Sequence, residues 1–444
     1  MDKQKTREVI RIAAPAVMES LVSVVIASID TKMISVLGKG AISAVSFTTQ
    51  PKLIFFAVFF ALGTTVSMFV SQAYGKKDKE EANACLLSIL RLTVILSLAL
   101  GAALFFLARP VMILCNRQKD TLELSVTFFR ILMVFSLFQA VSIILNSALR
   151  GIGKTKVTLV SNIAMGVVDI VFNYLLIEGH AGFPRLEVAG DAIATVLGTV
   201  AACIISLIAI KRETDFLSLH GFFSRSLAAT PDMRLSIRNK AGNIVVENLF
   251  TRVGFLLSSI ILSNLDSSET AVYHVGMILL NYSFAFGDGI QNATVALTGR
   301  SMGAALYDDL KEYLRISVIT GAICSLCLSI LYVAGSGWFF GLYFAESSDI
   351  HEGFITSCIA AVLTFLQVIR IICIGGMRGM GEVKDPRRIA TLCVFILNPA
   401  LSLLFTVIFD YGIWGIWAAS VITQTVWFAM GTVKCRKHLA VLPG

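Results

Sequence analysis

Charged residues are scarce in this chain: Asp, Glu, Lys and Arg make up 15% of its 444 residues, whereas 56% are hydrophobic. Soluble globular domains carry charge on about a quarter of their residues, because their surface has to be solvated. The composition therefore excludes an ordinary soluble protein and predicts an integral membrane protein.

Histidine is also rare, and the five histidines are scattered at positions 180, 220, 274, 351 and 438. The nine cysteines lie in or beside apolar segments, where packing explains them better than a disulfide or a metal site. We find no nucleophile, base and oxyanion-hole arrangement and no cluster of metal ligands. The sequence therefore predicts a protein that is not an enzyme and has no cofactor or metal.

Long apolar runs are abundant, and many approach the roughly 20 residues that a helix needs to cross a bilayer. They continue for too long without alternation to be strands of a membrane barrel. The predicted spans are 10–36, 46–72, 86–108, 126–148, 157–178, 192–210, 253–265 with its flanks, 271–298, 316–334, 355–376, 389–409 and 411–433.

The net charge of +8 is unevenly distributed between the predicted loops. If the chain starts in the cytoplasm, 26 of the 37 Lys and Arg residues fall at the termini and in the cytoplasmic loops, and only five fall in the opposite loops. This is the positive-inside pattern, which predicts a multi-pass protein of the cell (inner) membrane with both termini in the cytoplasm. The basic charge thus orients the protein, and no nucleic-acid partner is expected.

The chain repeats itself at an offset of 228 residues. Glu19 matches Glu247, Gln139 matches Gln367, and the segment from Arg150 to Lys156 matches the segment from Arg378 to Lys384. A fixed offset over such a length indicates a duplicated folding unit. Because each unit has six spans, both copies enter the membrane in the same orientation.

We therefore predict an all-α fold of twelve transmembrane helices in two six-helix lobes, related by a pseudo-two-fold axis along the membrane normal. The predicted N-lobe is 1–212, a cytoplasmic linker follows at 213–234, and the C-lobe with the C-terminal tail is 235–444.

Ionisable residues inside predicted spans are costly and are candidates for function. Asp30 has few polar neighbours in its own helix, and a low-dielectric site favours the protonated carboxyl, as a proton carrier requires. Asp169 and Asn173 lie four residues apart on one helix face and would form a polar pocket with Asp30 if the two helices touch. The alternative is that Asp30 caps a kink or pairs with Lys32.

Two further acids lie in the second half. Glu247 shares its repeat position with Glu19, which suggests an architectural role as well as a possible functional one. Asp288 lies between two glycines and would bind a cation or pair with Arg252 or Arg370.

Five motifs, in order along nearly the whole chain, are familiar: APAVMESLVSVVIASIDTKMISVLG, GTTVSMFVSQAYGKKD, LRGIGKTK, DIVFNYLLIEG and GDAIAT. Together they resemble the multidrug and toxic compound extrusion (MATE) family. The resemblance implies two six-helix lobes around a central cleft, and export of organic cations or drug-like molecules in exchange for protons or sodium ions.

The resemblance also implies roles for particular residues. Asp30 matches the family's first-helix acid, which binds the coupling ion, and Thr195 matches a threonine that faces the same pocket. The family often places Asn before Asp in the fifth helix, whereas here Asp169 precedes Asn173. The NorM-like branch of the family has an acid in the tenth helix, whereas the tenth span here contains Gln367 and no acid, so the chain looks closer to the DinF-like branch. Glu247, Asp288 and Gln367 remain possible substrate or ion contacts of the second lobe.

We expect a monomeric secondary antiporter in contact with membrane lipids, with small-molecule substrates, in particular organic cations, and with a proton or sodium ion as the coupling ion. The main alternative is a lipid-linked precursor flippase of the same broad fold, although its cleft would need several cationic side chains. A membrane-embedded enzyme would need clustered His, Asp or Glu at the membrane surface, and the scattered histidines show no such cluster. The sequence leaves open an antiporter fold that has become a regulator.

Overall fold

The computed structural model describes residues 2–115, 119–213, 215–222, 230–262, 267–342 and 347–443, and every regular element in these ranges is helical. The α-helices, in chain order, are α1 (Lys3–Ile34), α2 (Lys39–Lys76), α3 (Lys79–Phe106), α4 (Ala108–Cys115), α5 (Lys119–Val134), α6 (Ser136–Gly151), α7 (Thr155–Ile177), α8 (Val188–Glu213), α9 (Pro231–Leu262), α10 (Ser267–Gly303), α11 (Tyr307–Ala334), α12 (Ser336–Gly341), α13 (Ser347–Gly379), α14 (Lys384–Ala390), α15 (Asn398–Leu403) and α16 (Gly412–Val441).

Ten helical segments in the described ranges are long and apolar enough to cross a membrane. Helices α5 and α6, which meet at an angle of 52°, together form an eleventh candidate span. Helix α10 is less apolar, but its 37 residues extend over about 55 Å, which is more than a bilayer requires. With α10 included, the helices agree with the twelve predicted spans.

The chain forms two compact units. One comprises Leu21–Ala241, here called the N-lobe, and the other comprises Met1–Ser20 together with Gly242–Gly444, here called the C-lobe. The sequence predicted an N-lobe that starts at residue 1, whereas the structure places the first 20 residues in the C-lobe. Ion pairs explain this placement, because Lys5 contacts Asp309 at 2.7 Å and Glu8 contacts Arg300 at 2.7 Å.

The described part of the predicted linker belongs to the N-lobe. The guanidinium of Arg91 on α3 donates to the carbonyl oxygens of Phe222 and Gly221 at 2.8 and 2.7 Å. The amide of Asn83, about two helical turns earlier on α3, donates to the carbonyl of Phe216 at 3.1 Å. Residues 215–222 are therefore fastened to α3.

Two glycines bring three helices of the N-lobe into close contact. A Cβ atom on Gly166 of α7 would lie 2.0 Å from Cδ1 of Ile26 on α1, so α1 and α7 approach more closely than larger residues permit. A Cβ on Gly198 of α8 would lie 2.7 Å from the carbonyl oxygen of Met165 on α7. These contacts show that α7 packs against both α1 and α8.

The C-lobe is centred on the interface of α10, α11, α13 and α16, where buried apolar side chains form a continuous cluster. Between α14 and α16 the chain contains two π-helical stretches, Thr391–Leu397 and Leu404–Ile408. The side-chain amide of Asn398, between these stretches, donates to the hydroxyl of Ser258 on α9 at 3.0 Å.

Candidate functional site

The contact between α1 and α7 brings Asp30 to the polar face of α7. Asp30 lies one turn after Ile26, while Asp169 and Asn173 follow Gly166 by three and seven residues, so these residues share the two facing surfaces. The amide nitrogen of Asn173 faces Asp30 Oδ1 at 3.4 Å. The carboxyl groups of Asp30 and Asp169 interact electrostatically across this contact.

Helix α8 also contributes residues to the pocket. Asp191, Thr195 and Gly198 are spaced by four and three residues, and therefore lie on one face of α8. A Cβ atom on Gly198 would lie 3.2 Å from Cβ of Asp169, so this face of α8 packs beside Asp169. Thr195 and Asp191 lie about one and two turns earlier on the same face. Asp191 is 2% exposed and Asp169 is 5% exposed, so both carboxyl groups are withdrawn from solvent.

Lys52 on α2 is the basic residue of this pocket. Its ammonium group interacts electrostatically with the carboxylates of Asp191, Asp30 and Asp169. A charged pair inside a protein is less screened than a pair at the surface, so one lysine among three acids influences all of them. We refer to Asp30, Lys52, Asp169, Asn173, Asp191 and Thr195 as the N-lobe pocket.

Two oxygen atoms of the N-lobe pocket are buried without a hydrogen-bond partner in the described part of the chain: Asp169 Oδ1 and Asn173 Oδ1. A buried acceptor without a donor costs free energy, and native proteins rarely leave one unless a ligand or water completes it. The pocket therefore offers acceptor positions for a proton donor or a cation.

The structure brings together the four first-lobe residues singled out from the sequence: Asp30, Asp169, Asn173 and Thr195. Lys32, the alternative partner of Asp30, has an exposed side chain. Sequence reasoning did not single out Asp191 or Lys52 as pocket residues. The signal that could have found Asp191 is its four-residue spacing from Thr195, which places both on one face of α8.

Glu247, the C-lobe residue that matches Glu19 in the repeat, forms an ion pair. Glu247 Oε1 accepts from Nη2 of Arg378 at 2.9 Å, and both side chains are buried. With its amide oriented to satisfy both ends, Gln291 accepts from Nη1 of the same arginine at 3.1 Å. Glu247 is therefore paired with a basic residue, Arg378.

The other second-lobe candidates are Asp288 and Gln367. Asp288 accepts from the Asn292 amide at 3.2 Å and faces the hydroxyl of Ser20 at 3.5 Å. Gln367 is buried on α13. Arg370, proposed as a partner of Asp288, has its guanidinium 3.4 Å from the ring centre of Trp427.

In a comparison with known protein families, one family profile matches the chain twice. The MatE family profile covers residues 15–175 and again residues 244–404. Two matches of equal length in tandem agree with the internal repeat, and together they cover more than half of the chain.

Relatives of similar length extend over most of the chain. A Bacillus subtilis protein named as an uncharacterised transporter, YisQ, is 23% identical over 432 residues, which is 95% of this chain and 92% of the relative. A Thermotoga maritima protein named as a probable multidrug resistance protein, NorM, is 20% identical over 412 residues, which is 93% of this chain and 88% of the relative.

Solved structures show the same fold. The outward-facing conformation of a multidrug resistance MATE family transporter superposes with a TM-score of 0.90 at 16% identity, and covers 99% of this chain and 97% of that one. A MATE structure in a bent conformation has a TM-score of 0.88 at 17% identity. The tandem profile matches, the relatives and the fold lead to one conclusion: the chain belongs to the MatE family and is a multidrug and toxic compound extrusion (MATE) family transporter.

Proposed function

We propose that this protein is a secondary active antiporter that exports organic cations or similar drug-like compounds in exchange for protons or sodium ions by alternating access. The observation that carries this proposal is the N-lobe pocket, in which Asp30, Asp169 and Asp191 converge within membrane-spanning helices. Acids at such positions are expensive to maintain and typically mark ion pathways.

The charges of the pocket favour cations. Three carboxyl groups face one ammonium group, so the pocket is negative unless protons or other cations neutralise it. An organic cation and a coupling cation would both be attracted to the same carboxylates. Their competition supplies the coupling, because exchange requires the two ligands to favour different states of the protein.

The names of the relatives point in the same direction. The NorM proteins of Thermotoga maritima and Bacillus cereus are named as probable multidrug resistance proteins. By analogy with them, the compounds exported by this chain would be chemically varied and drug-like. The basic residues at the termini and in the predicted cytoplasmic loops favour a cell-membrane location with cytoplasmic termini.

The test is transport of a fluorescent organic cation such as ethidium by the full-length protein in proteoliposomes, driven by a pH gradient or a sodium gradient. Asp30→Asn keeps the shape of the side chain but cannot release a proton or carry a negative charge. We expect it to reduce gradient-driven transport by at least about tenfold, within the range of typical coupling effects.

The control is Asp308→Asn, because Asp308 has a side chain that is 87% exposed at the start of α11. This substitution should leave transport unchanged. If Asp30→Asn and Asp308→Asn transport at equal, gradient-dependent rates, Asp30 is not the coupling residue. If neither gradient drives transport by the wild-type protein, antiport of this substrate class is wrong.

A further inference from the structure

Arg370 is a buried cation of the C-lobe. It lies on α13 and is 5% exposed. Its Nε atom is buried without a hydrogen-bond acceptor in the described part of the chain, and the buried ion pair of the same helix is formed by Arg378 instead. A guanidinium has five N–H donors and no acceptor of its own. Because a buried charged donor without a partner is costly, an acceptor is expected beside Arg370.

Helix α16 provides the surface on which this guanidinium lies. Its central carbon, Cζ, is 3.4 Å from the ring centre of Trp427. Gly431, one turn later on α16, has no side chain to cover the arginine, and a Cβ atom there would lie 3.8 Å from Arg370 Cγ. Stacking on an aromatic face leaves the N–H edge of a guanidinium available for an acceptor. Trp427 Nε1 is a second buried donor that has no acceptor among the described residues.

The nearby acid does not supply the missing acceptor. Glu247 interacts electrostatically with Arg370, but its Oε1 atom accepts from Arg378 at 2.9 Å. Its Oε2 atom is itself buried without a donor in the described ranges. The two arginines and the one glutamate leave a net positive charge, which one further negative charge would neutralise. A carboxylate carries one negative charge, whereas a phosphate monoester carries about two at neutral pH.

The shape of a carboxylate also fits a guanidinium. The two oxygens of a carboxylate match two parallel N–H groups of an arginine, so that the pair forms two charge-assisted hydrogen bonds. Arg370 precedes Arg378, in the last turn of α13, by about two turns of helix, or about 12 Å. A lipid phosphate would have to leave the headgroup level of the membrane to reach such a buried position. A small molecule with a carboxylate is therefore the better ligand.

We propose that Arg370 forms an anion site in the C-lobe that binds a single carboxylate group of a small organic molecule. As a substrate site it rests on the proposed export function, and it adds compounds with a carboxylate to the organic cations. Binding of a carboxylate does not itself depend on transport. The Arg370 site is opposite in charge to the N-lobe pocket, where three acids face one lysine.

Equilibrium dialysis of radiolabelled benzoate against the purified full-length protein in detergent tests this site. Benzamide has nearly the same shape as benzoate but no charge. We expect saturable binding of benzoate by the wild type, and at least about tenfold weaker binding of benzamide, as loss of a charged hydrogen bond predicts. Arg370→Gln should lower the benzoate affinity to that of benzamide. Arg370→Lys keeps the charge but lacks the planar fork, so its benzoate affinity should be intermediate.

Arg315→Gln is the matched control, since Arg315 is an exposed arginine on α11 of the same lobe. It removes the same charge and should retain the wild-type affinity for benzoate. A purely structural role of Arg370 would lower the melting temperature without changing the ratio of benzoate to benzamide affinity. If Arg370→Gln does not fold, the wild-type ratio still decides, because equal affinities for benzoate and benzamide would refute the proposal. Absence of saturable benzoate binding by the wild type would refute it too.

Phosphatidylglycerol added to the detergent micelles distinguishes a lipid phosphate from a free carboxylate. Benzoate binding that persists in the presence of this lipid supports the proposal, whereas displacement of benzoate by the lipid would overturn it. Dialysis uses no ion gradient, so its result is separate from the outcome of the ethidium transport test. Failure of gradient-driven ethidium transport would refute antiport, while benzoate binding that depends on Arg370 would still establish the anion site.

Discussion

Two ion pairs in this chain have the same N–O distance but differ in their exposure to solvent. The pair between Arg378 and Glu247 spans 2.9 Å, with side chains that are 10% and 7% exposed. The pair between Arg109 and Glu123 also spans 2.9 Å, with side chains that are 60% and 66% exposed. They therefore separate the effect of burial on an ion pair from the effect of distance.

Coulomb's law gives the expected difference. At 2.9 Å two unit charges attract by about 6 kcal/mol at an effective dielectric constant near 20, and by about 1.4 kcal/mol in water. Removing one partner of a buried pair leaves the other charge without compensation, at a cost of about 3–5 kcal/mol. Removing one partner of an exposed pair costs at most about 1 kcal/mol.

We therefore expect Glu247→Gln to lower the stability of the purified protein by about 3–5 kcal/mol, and Glu123→Gln to have little effect. Thermal unfolding in detergent, followed by intrinsic fluorescence, compares the two variants under identical conditions. The double variant Glu247→Leu with Arg378→Met should recover much of the loss, because it leaves no unpaired charge. Equal melting temperatures for Glu247→Gln and Glu123→Gln would refute this reasoning.

Two other predictions concern packing and topology. Gly166→Ala should lower the stability by about 1–3 kcal/mol through overpacking and should reduce transport, because the new methyl group meets Ile26. Adding Ile26→Ala should restore part of the stability and of the transport, measured as melting temperature and ethidium transport in a double-mutant cycle. Additive losses in the double variant would argue against the contact. Cys115, an exposed thiol at the end of α4, should react from outside intact cells with a membrane-impermeant maleimide. Partial desolvation raises the pKa of the Cys115 thiol, so labelling should accelerate as the pH rises above the usual thiol range near 8.5. A Cys115→Ser variant gives the background labelling. Labelling from the cytoplasmic side alone would show that the predicted orientation is reversed.

Much of the fold follows from the sequence because hydropathy and helical periodicity are local properties. Apolar runs of about 20 residues indicate spans wherever they occur. The duplication followed from the fixed offset between Glu19 and Glu247, and the tandem profile matches agree with it. What local patterns did not reveal was that the first 20 residues pack with the second half, since ion pairs such as that between Lys5 and Asp309 join residues 304 positions apart.

The N-lobe pocket, too, was only partly predictable from the sequence. The spacing of Asp169 and Asn173 predicted a shared face on α7, and the structure places Asp30 against that face. The proximity of Lys52 to these acids was not visible, because Lys52 belongs to a different helix, α2. Its position among the acids depends on how α2 packs, which a single sequence does not specify.

The composition of the N-lobe pocket also has a consequence for biogenesis. Asn173, the partner of Asp30, lies 143 residues further along the chain, so at 5–20 residues per second the ribosome needs roughly 7–30 s to deliver it after the first helix has emerged. During this interval the acid on the nascent first helix has neither α7 nor α8 beside it. Newly made α1 therefore carries an acid whose cost inside the membrane is not yet offset by its neighbours, and a ribosome stalled before α7 would leave the helix in that state.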